Sequence, residues 1–86
     1  MAQSEVFDDV RNILGDSLQL GDRTATLTAE TALLGNLPEL DSFAIVTVIT
    51  GLEERYGFIV DDDEISADTF ATLGDLTEFV SRKITE

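Results

Sequence analysis

The chain contains no cysteine and no histidine. The first absence excludes a disulfide framework and any thiolate chemistry of the chain's own. The second removes the commonest general base, so acid–base work would fall to carboxylates, Tyr56 or Lys83. Basic residues are scarce: five Lys and Arg stand against eighteen Asp and Glu, for a net charge of −13. No basic patch can be assembled from so few, which excludes nucleic acid and anionic membrane surfaces as natural partners. Apolar runs long enough to span a bilayer, about 20 residues, are absent too. The opening "MAQSEVFDDV" has no basic segment followed by an apolar one, so it does not read as a signal peptide. The expectation is a cytoplasmic, monomeric protein with no membrane insertion.

What is present fits one small domain, residues 1–86. Hydrophobic residues make up 43% of the chain, too many for a disordered acidic tail. A chain of this size buries only about 60–65% of its unfolded surface. Self-repulsion among the acids works against compaction, so monovalent salt or magnesium should raise the melting temperature. Thermal melts across a salt series at neutral pH check this; a flat series contradicts it.

Apolar periodicity marks the helices. Val6, Phe7, Val10, Ile13 and Leu14 give a first helix over residues 5–14, with Ser4 as N-cap and Gly15 just past its end. Residues 16–41 carry Gly21, Gly35, Asn36 and Pro38, with leucines at 18, 20, 27, 33, 34, 37 and 40. So long a connection is unusual in a compact domain. Its leucines predict that it packs across the helices, with a helical turn near Thr28–Ala32. Ile45, Val48, Ile49, Leu52 and Tyr56 share one face of a second helix over residues 42–57, capped by Asp41 and ended by Gly57. The β-branched run from Ile45 to Thr50 would also suit a strand. The stripe continues through Tyr56, which favours helix. "FIVDDDEI" reads as an extended linker, and Ser66 caps a brief helix to Phe70. Thr72 and Asp75 have capping-box spacing before a last helix bearing Leu73, Leu76, Phe79, Val80 and Ile84. Arg82 and Lys83 close it, where the helix dipole favours cations. The fold class is all-α: a small four-helix bundle, three main helices plus a short one, with a long loop between helices one and two.

Enzymatic chemistry finds little support. Asp8/Asp9 and Glu53/Glu54 read as solvated helix faces, and Ser42 has no base to activate it. The acidic run Asp61–Glu64 fails as a calcium loop. Ile65 and Ser66 stand at its fifth and sixth positions, where an oxygen ligand and glycine are needed. No metal site is expected.

The stretch "ELDSFAIVTVIT", with Asp41-Ser42-Phe43 at the head of an apolar helix, resembles the acyl carrier protein family. The family has an Asp-Ser-Leu-like tripeptide after a long leucine-bearing loop. "GLEERYGF" and "IVDDDEISADTFATLGDLTEFVSRK" extend the resemblance from helix one to Lys83. It implies a non-catalytic carrier whose Ser42 receives 4′-phosphopantetheine from coenzyme A through a phosphopantetheinyl transferase. The thiol of that arm would hold acyl groups as thioesters, in fatty-acid, lipid or specialised acyl biosynthesis. Asp41 would cap the helix and take part in transferase recognition. The resemblance implies partner contacts at Phe43 and Val46, with Glu39, Asp41, Glu53 and Glu54 steering acyl-transferring, synthase or ligase enzymes that bear basic docking patches. Ile45, Val48, Ile49, Ile59, Ile65 and Phe70 are candidates to line an acyl pocket.

The chain departs from the fatty-acid carriers in having Ala44 and Thr47, two and five residues after the serine, where those carriers bear acids. "ELDSFAIVTVITGLEERYGF" and "DDDEISADTF" are similar to stand-alone carriers that accompany bacterial exosortase and exopolysaccharide systems. Two alternatives stay open. One is a D-alanyl or aminoacyl carrier on the same serine. The other is an unmodified acidic helical module that binds basic proteins or divalent ions.

Overall fold

In the computed structural model, residues 3–85 are described, without the side chains of residues 3, 4 and 62. Three α-helices carry the fold: α1 (Gln3–Leu18), α2 (Ser42–Tyr56) and α3 (Leu73–Thr85). Three 3₁₀ helices, Gly21–Thr26, Asp62–Glu64 and Ala67–Phe70, punctuate the connections. Among the described residues there is no strand, only one isolated bridge between Ala32 and Thr72. The all-α expectation of three main helices and a short one therefore holds.

One apolar face of each helix meets the others. Val6, Val10 and Leu14 of α1, Val48, Ile49 and Leu52 of α2, and Leu73, Leu76, Phe79 and Val80 of α3 are buried in one core cluster together with Phe70. The β-branched run in α2 is helical. Its i, i+3, i+4 spacing buries Val48, Ile49 and Leu52 on one face, which outweighs the local preference for strand. α1 and α2 run antiparallel: Asp9 reaches Arg55 and Tyr56, and Ile13 lies against Gly51.

Helix one is longer than its periodicity predicted. It does not stop at Gly15 but continues to Leu18, and Ser4 already lies within it rather than capping it. The left-handed residue that closes it is Gln19, at φ 55°. Leu20 N–H donates to the Gly15 carbonyl at 2.9 Å and Gln19 N–H to that of Asp16 at 3.3 Å, which is the Schellman pairing. Gly15 serves a different purpose, the close approach of the first 3₁₀ helix. A Cβ on it would fall 2.1 Å from the Thr24 hydroxyl oxygen.

The long connection packs as its leucines implied. Leu18, Leu20, Leu27, Leu33, Leu37 and Leu40 are buried, and Leu34 is exposed. Its ordered helical piece is Gly21–Thr26; residues 28–32 form a simple turn, with Thr31 N–H donating to the Thr28 carbonyl. The segment is then held by backbone bonds to the start of α3. Leu33 N–H donates to Ala71, Leu34 to Phe70, Leu73 to Thr31 and Gly74 to Ala29.

The linker after α2 is not wholly extended. Asp62–Glu64 forms a 3₁₀ turn. The Glu64 carboxylate accepts from the Asp61 N–H at 2.8 Å and from Lys83 Nζ at 2.9 Å. Those two donors, the backbone amide first, hold Glu64 below the ordinary carboxylate range. The Ala67–Phe70 turn begins after Ser66, whose N–H donates to the Thr69 hydroxyl, and Asp75 N–H donates to the Thr72 hydroxyl at the head of α3. No helix among the described residues is long and apolar enough to cross a membrane.

The Tyr56 hydroxyl donates to Asp9 Oδ2 at 2.9 Å, tying the end of α2 to α1. Partial burial and the Asp9 charge push this phenol up to about 12. The raised value means the fold prefers the neutral phenol. Its contribution is complete below the unfolded value near 10 and is lost as pH rises through about 12. The urea midpoint of the wild type should therefore drop more between pH 9.5 and 12 than that of Tyr56→Phe. Parallel curves would contradict the linkage.

Candidate functional site

The site is built at the start of α2. Asp41 has extended backbone (φ −106°, ψ −176°), and its side chain accepts from Ala44 N–H at 2.8 Å. Its carbonyl accepts the first helical bond, from Ile45 N–H at 2.9 Å, and its own N–H donates to Glu39. Ser42 is the first helical residue, and its side chain is exposed. Asp41 takes the Ala44 amide, so the amides of Ser42 and Phe43 keep no acceptor among the described residues. An exposed hydroxyl thus sits beside two free N–H groups at the positive end of a four-turn helix, a setting that favours an attached phosphate. A phosphodiester on Ser42 fits these residues: there is space outside the hydroxyl and there are donors beside it. Among the described residues, no group that would activate the hydroxyl is bonded to it.

Asp41 stabilises this geometry as a cap. Asp41→Ala should lower stability by about 1 kcal/mol and Asp41→Asn by much less, because the amide oxygen still caps. Chemical denaturation of the three proteins tests the ranking; equal losses would show that charge, not capping, is what matters.

The other candidate residues are placed as follows. Glu39 is bound to Arg23, with Nη1 to Oε2 at 2.6 Å, and this pairing holds its carboxyl below the ordinary range. Glu53 turns its carboxylate back to accept the Val60 N–H at 2.8 Å, which anchors the linker to α2. Glu54 is exposed. Phe43 and Val46 are 81% and 62% exposed. Of the pocket candidates, Val48, Ile49 and Phe70 are buried in the core and Ile45 and Ile65 are half-buried at its edge, whereas Ile59 stands 77% exposed on the linker. Val48, Ile49 and Phe70 are brought together; Ile59 is not with them. Two surface clefts have other linings. One is lined by Glu64, Asp68, Asp75, Glu78, Arg82 and Lys83, the other by Phe7, Leu27, Ala29, Gly74 and Thr77. No cluster of three or more metal-ligating side chains occurs among the described residues.

The sequence reading missed two features of the site. Arg23 reaches Glu39 across sixteen positions, for which the sequence carries no signal. Ala44, noted only as a missing acid, is 8% exposed and turned into the core.

No family model matches the chain. An acyl carrier protein of Thermosynechococcus vestitus is 32% identical over 84 residues, covering 98% of both chains. The chain belongs to the acyl carrier protein family. A second such protein, from Lactobacillus acidophilus, is 28% identical and covers 93% of this chain and 94% of its own length. Among solved structures, the solution structure of a holo acyl carrier protein from Nitrosomonas europaea is 62% identical. It covers 93% of this chain and 96% of its own, with a TM-score of 0.86. Acyl carrier proteins are non-catalytic carriers whose prosthetic group is 4′-phosphopantetheine. Such a group also accounts for a chain with neither cysteine nor histidine: the thiol is imported, and the protein positions it.

Proposed function

We propose that this acyl carrier protein holds acyl intermediates as thioesters on a 4′-phosphopantetheine arm attached to Ser42. The observation that carries the reading is the exposed Ser42 hydroxyl on the first helical residue, beside the Asp41 cap and two free amides. In the attachment step Ser42 Oγ bonds to the phosphorus that bears the pantetheine arm in coenzyme A. The phosphoanhydride bond breaks, adenosine 3′,5′-bisphosphate leaves, and the hydroxyl proton passes to a base. The chain has none at hand, so the transferase supplies it. Asp41 keeps the helix start rigid before and after modification. The product phosphodiester would be held at the positive helix end by the free amides of Ser42 and Phe43.

The arm then lets one small protein visit several enzymes of fatty-acid, lipid or specialised acyl synthesis in the cytoplasm. Phe43, Val46 and Glu54 are exposed where such enzymes would approach, and Glu39 and Glu53 shape that approach through Arg23 and Val60. Val48, Ile49 and Phe70, with Ile45 and Ile65 at the edge, form the apolar interior nearest the α2 face and are the residues an acyl chain would have to part.

Incubation with coenzyme A and a broad-specificity phosphopantetheinyl transferase should add one phosphopantetheinyl group to the intact mass. No addition under conditions that load a control carrier would overturn the reading. Mass spectrometry of protein isolated from its native host then separates an acyl thioester from an aminoacyl one.

A further inference from the structure

A cleft of about 510 Å³ opens between α1, residues 27–29 of the long connection and the start of α3. Ligand clefts run from about 300 to 1,000 Å³, so it is large enough to take an occupant. Phe7, Leu27, Ala29 and Thr77 give it an apolar wall. Polar groups in that wall are already engaged. Thr77 Oγ1 donates to the Leu73 carbonyl at 2.9 Å, Gly74 N–H to that of Ala29 at 2.8 Å, and Thr28 N–H to the Thr31 hydroxyl at 2.9 Å. What enters must therefore bring apolar groups. The rim is acidic. Asp8 lines the cleft with its side chain 61% exposed, Glu5 precedes it by one turn of α1, and Glu30 follows exposed Ala29. Arg11 offsets part of this charge, but it approaches Asp8 only to 3.6 Å in an exposed pair worth little. Asp9 bonds to Arg55 and Tyr56, so Phe7 and Asp8 lie level with the end of α2. Ser42 begins that fifteen-residue helix at its other end, about 20 Å away along the axis.

We propose that this cleft is a second docking surface, which takes a basic amphipathic helix of a protein that holds the carrier without handling its cargo. An apolar cleft receives the apolar face of such a helix, and Lys or Arg at its flanks meets Asp8, Glu5 and Glu30. Charge opposes other occupants. A second copy of the chain brings a further net charge of −13, and an anionic membrane surface is repelled by the same acids. Distance gives the role. A helix seated between α1 and the start of α3 leaves the start of α2 open, so anchoring and use of Ser42 proceed together. The proposal goes beyond attachment at Ser42 and stands on different residues.

Amide-shift mapping by NMR on the full-length apo protein tests this, with an amidated helical peptide of about fifteen Leu, Ala and Lys residues as the probe. The expected result is saturable binding with a Kd of about 100 μM, weakening about fivefold or more between roughly 50 mM and 500 mM sodium chloride. The shifts should centre on Phe7, Asp8, Leu27, Ala29, Gly74 and Thr77 and spare Ser42 to Val46. Replacing the peptide's Leu by Ser, or its Lys by Glu, should remove binding. Ala29→Gln, which puts polar bulk at the cleft, should weaken the original peptide about tenfold, and Asp8→Asn combined with Glu30→Gln about fivefold. Thermal melts confirm that these variants, altered only at exposed positions, stay folded. With the peptide at saturation, loading by a phosphopantetheinyl transferase should keep within about twofold of its unimpeded rate. Shifts centred on Phe43 and Val46, no saturation by about 1 mM peptide, or binding indifferent to Ala29→Gln overturns the proposal. A peptide that blocks loading overturns it too, since the occupant then covers Ser42. Failure to load without any peptide would instead overturn attachment at Ser42, and the shift mapping would still decide the cleft.

Discussion

Ser42→Ala is expected to abolish phosphopantetheinyl loading outright while changing stability by less than about 0.5 kcal/mol. The two halves of that result have separate causes. Loading needs an exposed hydroxyl on a rigid, anion-tolerant helix start, and Ser17, Ser66 and Ser81 do not offer one. Ser17 is half-buried within α1, and the Ser81 hydroxyl oxygen is buried without a partner among the described residues. Ser66 is exposed but introduces only a four-residue 3₁₀ turn. Stability is spared because Ser42 is solvent-exposed and makes no side-chain bond among the described residues; the cap belongs to Asp41. Alanine is also a good helix former at the position. Intact mass after loading, with a thermal melt of the same sample, reads both halves. Residual loading of Ser42→Ala at the wild-type level would move the site elsewhere.

Phe70→Ala is expected to produce the largest loss of stability. Phe70 is the largest fully buried side chain, and it belongs to the core cluster that holds the buried residues of α1, α2 and α3. Truncating a buried phenylalanine costs about 3–5 kcal/mol, through lost transfer energy and the cavity left behind. A domain of this size is stable by only about 5–13 kcal/mol in all. The loss therefore takes away a large part of the total, and melting should fall by about 15–30 °C. The backbone around Phe70 compounds the effect, since its carbonyl accepts from Leu34 N–H and so helps to dock the long connection. Urea unfolding measures the difference directly. A loss below about 1 kcal/mol would mean that the core had collapsed to refill the site.

How much of this was legible in the sequence depended on whether the signal was local. Asp41, the apolar face of α2 and Gly57 lie within one helix and announce both its ends. The Thr72/Asp75 spacing and the short Ala67–Phe70 turn were readable for the same reason. The end of α1 was not. Its left-handed residue is Gln19 rather than a glycine, and the nearby Gly15 is there for contact with Thr24. The docking of residues 29–34 on the start of α3 runs through backbone groups, which leave no trace in side-chain pattern. At the proposed site, sequence placed Ser42 at the start of α2 and Asp41 as its cap, as the structure has them. It could not show that Glu39 and Glu53 are engaged by Arg23 and Val60, because those partners are brought in by the fold. Ile59 shows the converse: an apolar residue in an acidic linker reads as core, yet it faces solvent.

The most direct test of the central claim is localisation of the modification. Trypsin acting at Arg23 and Arg55 releases residues 24–55, in which Ser42 is the one serine. After loading with coenzyme A and the transferase, fragmentation of that peptide should place the phosphopantetheinyl group between Asp41 and Phe43 in every loaded molecule. A group found on any other peptide, or on a threonine of this one, would contradict the account.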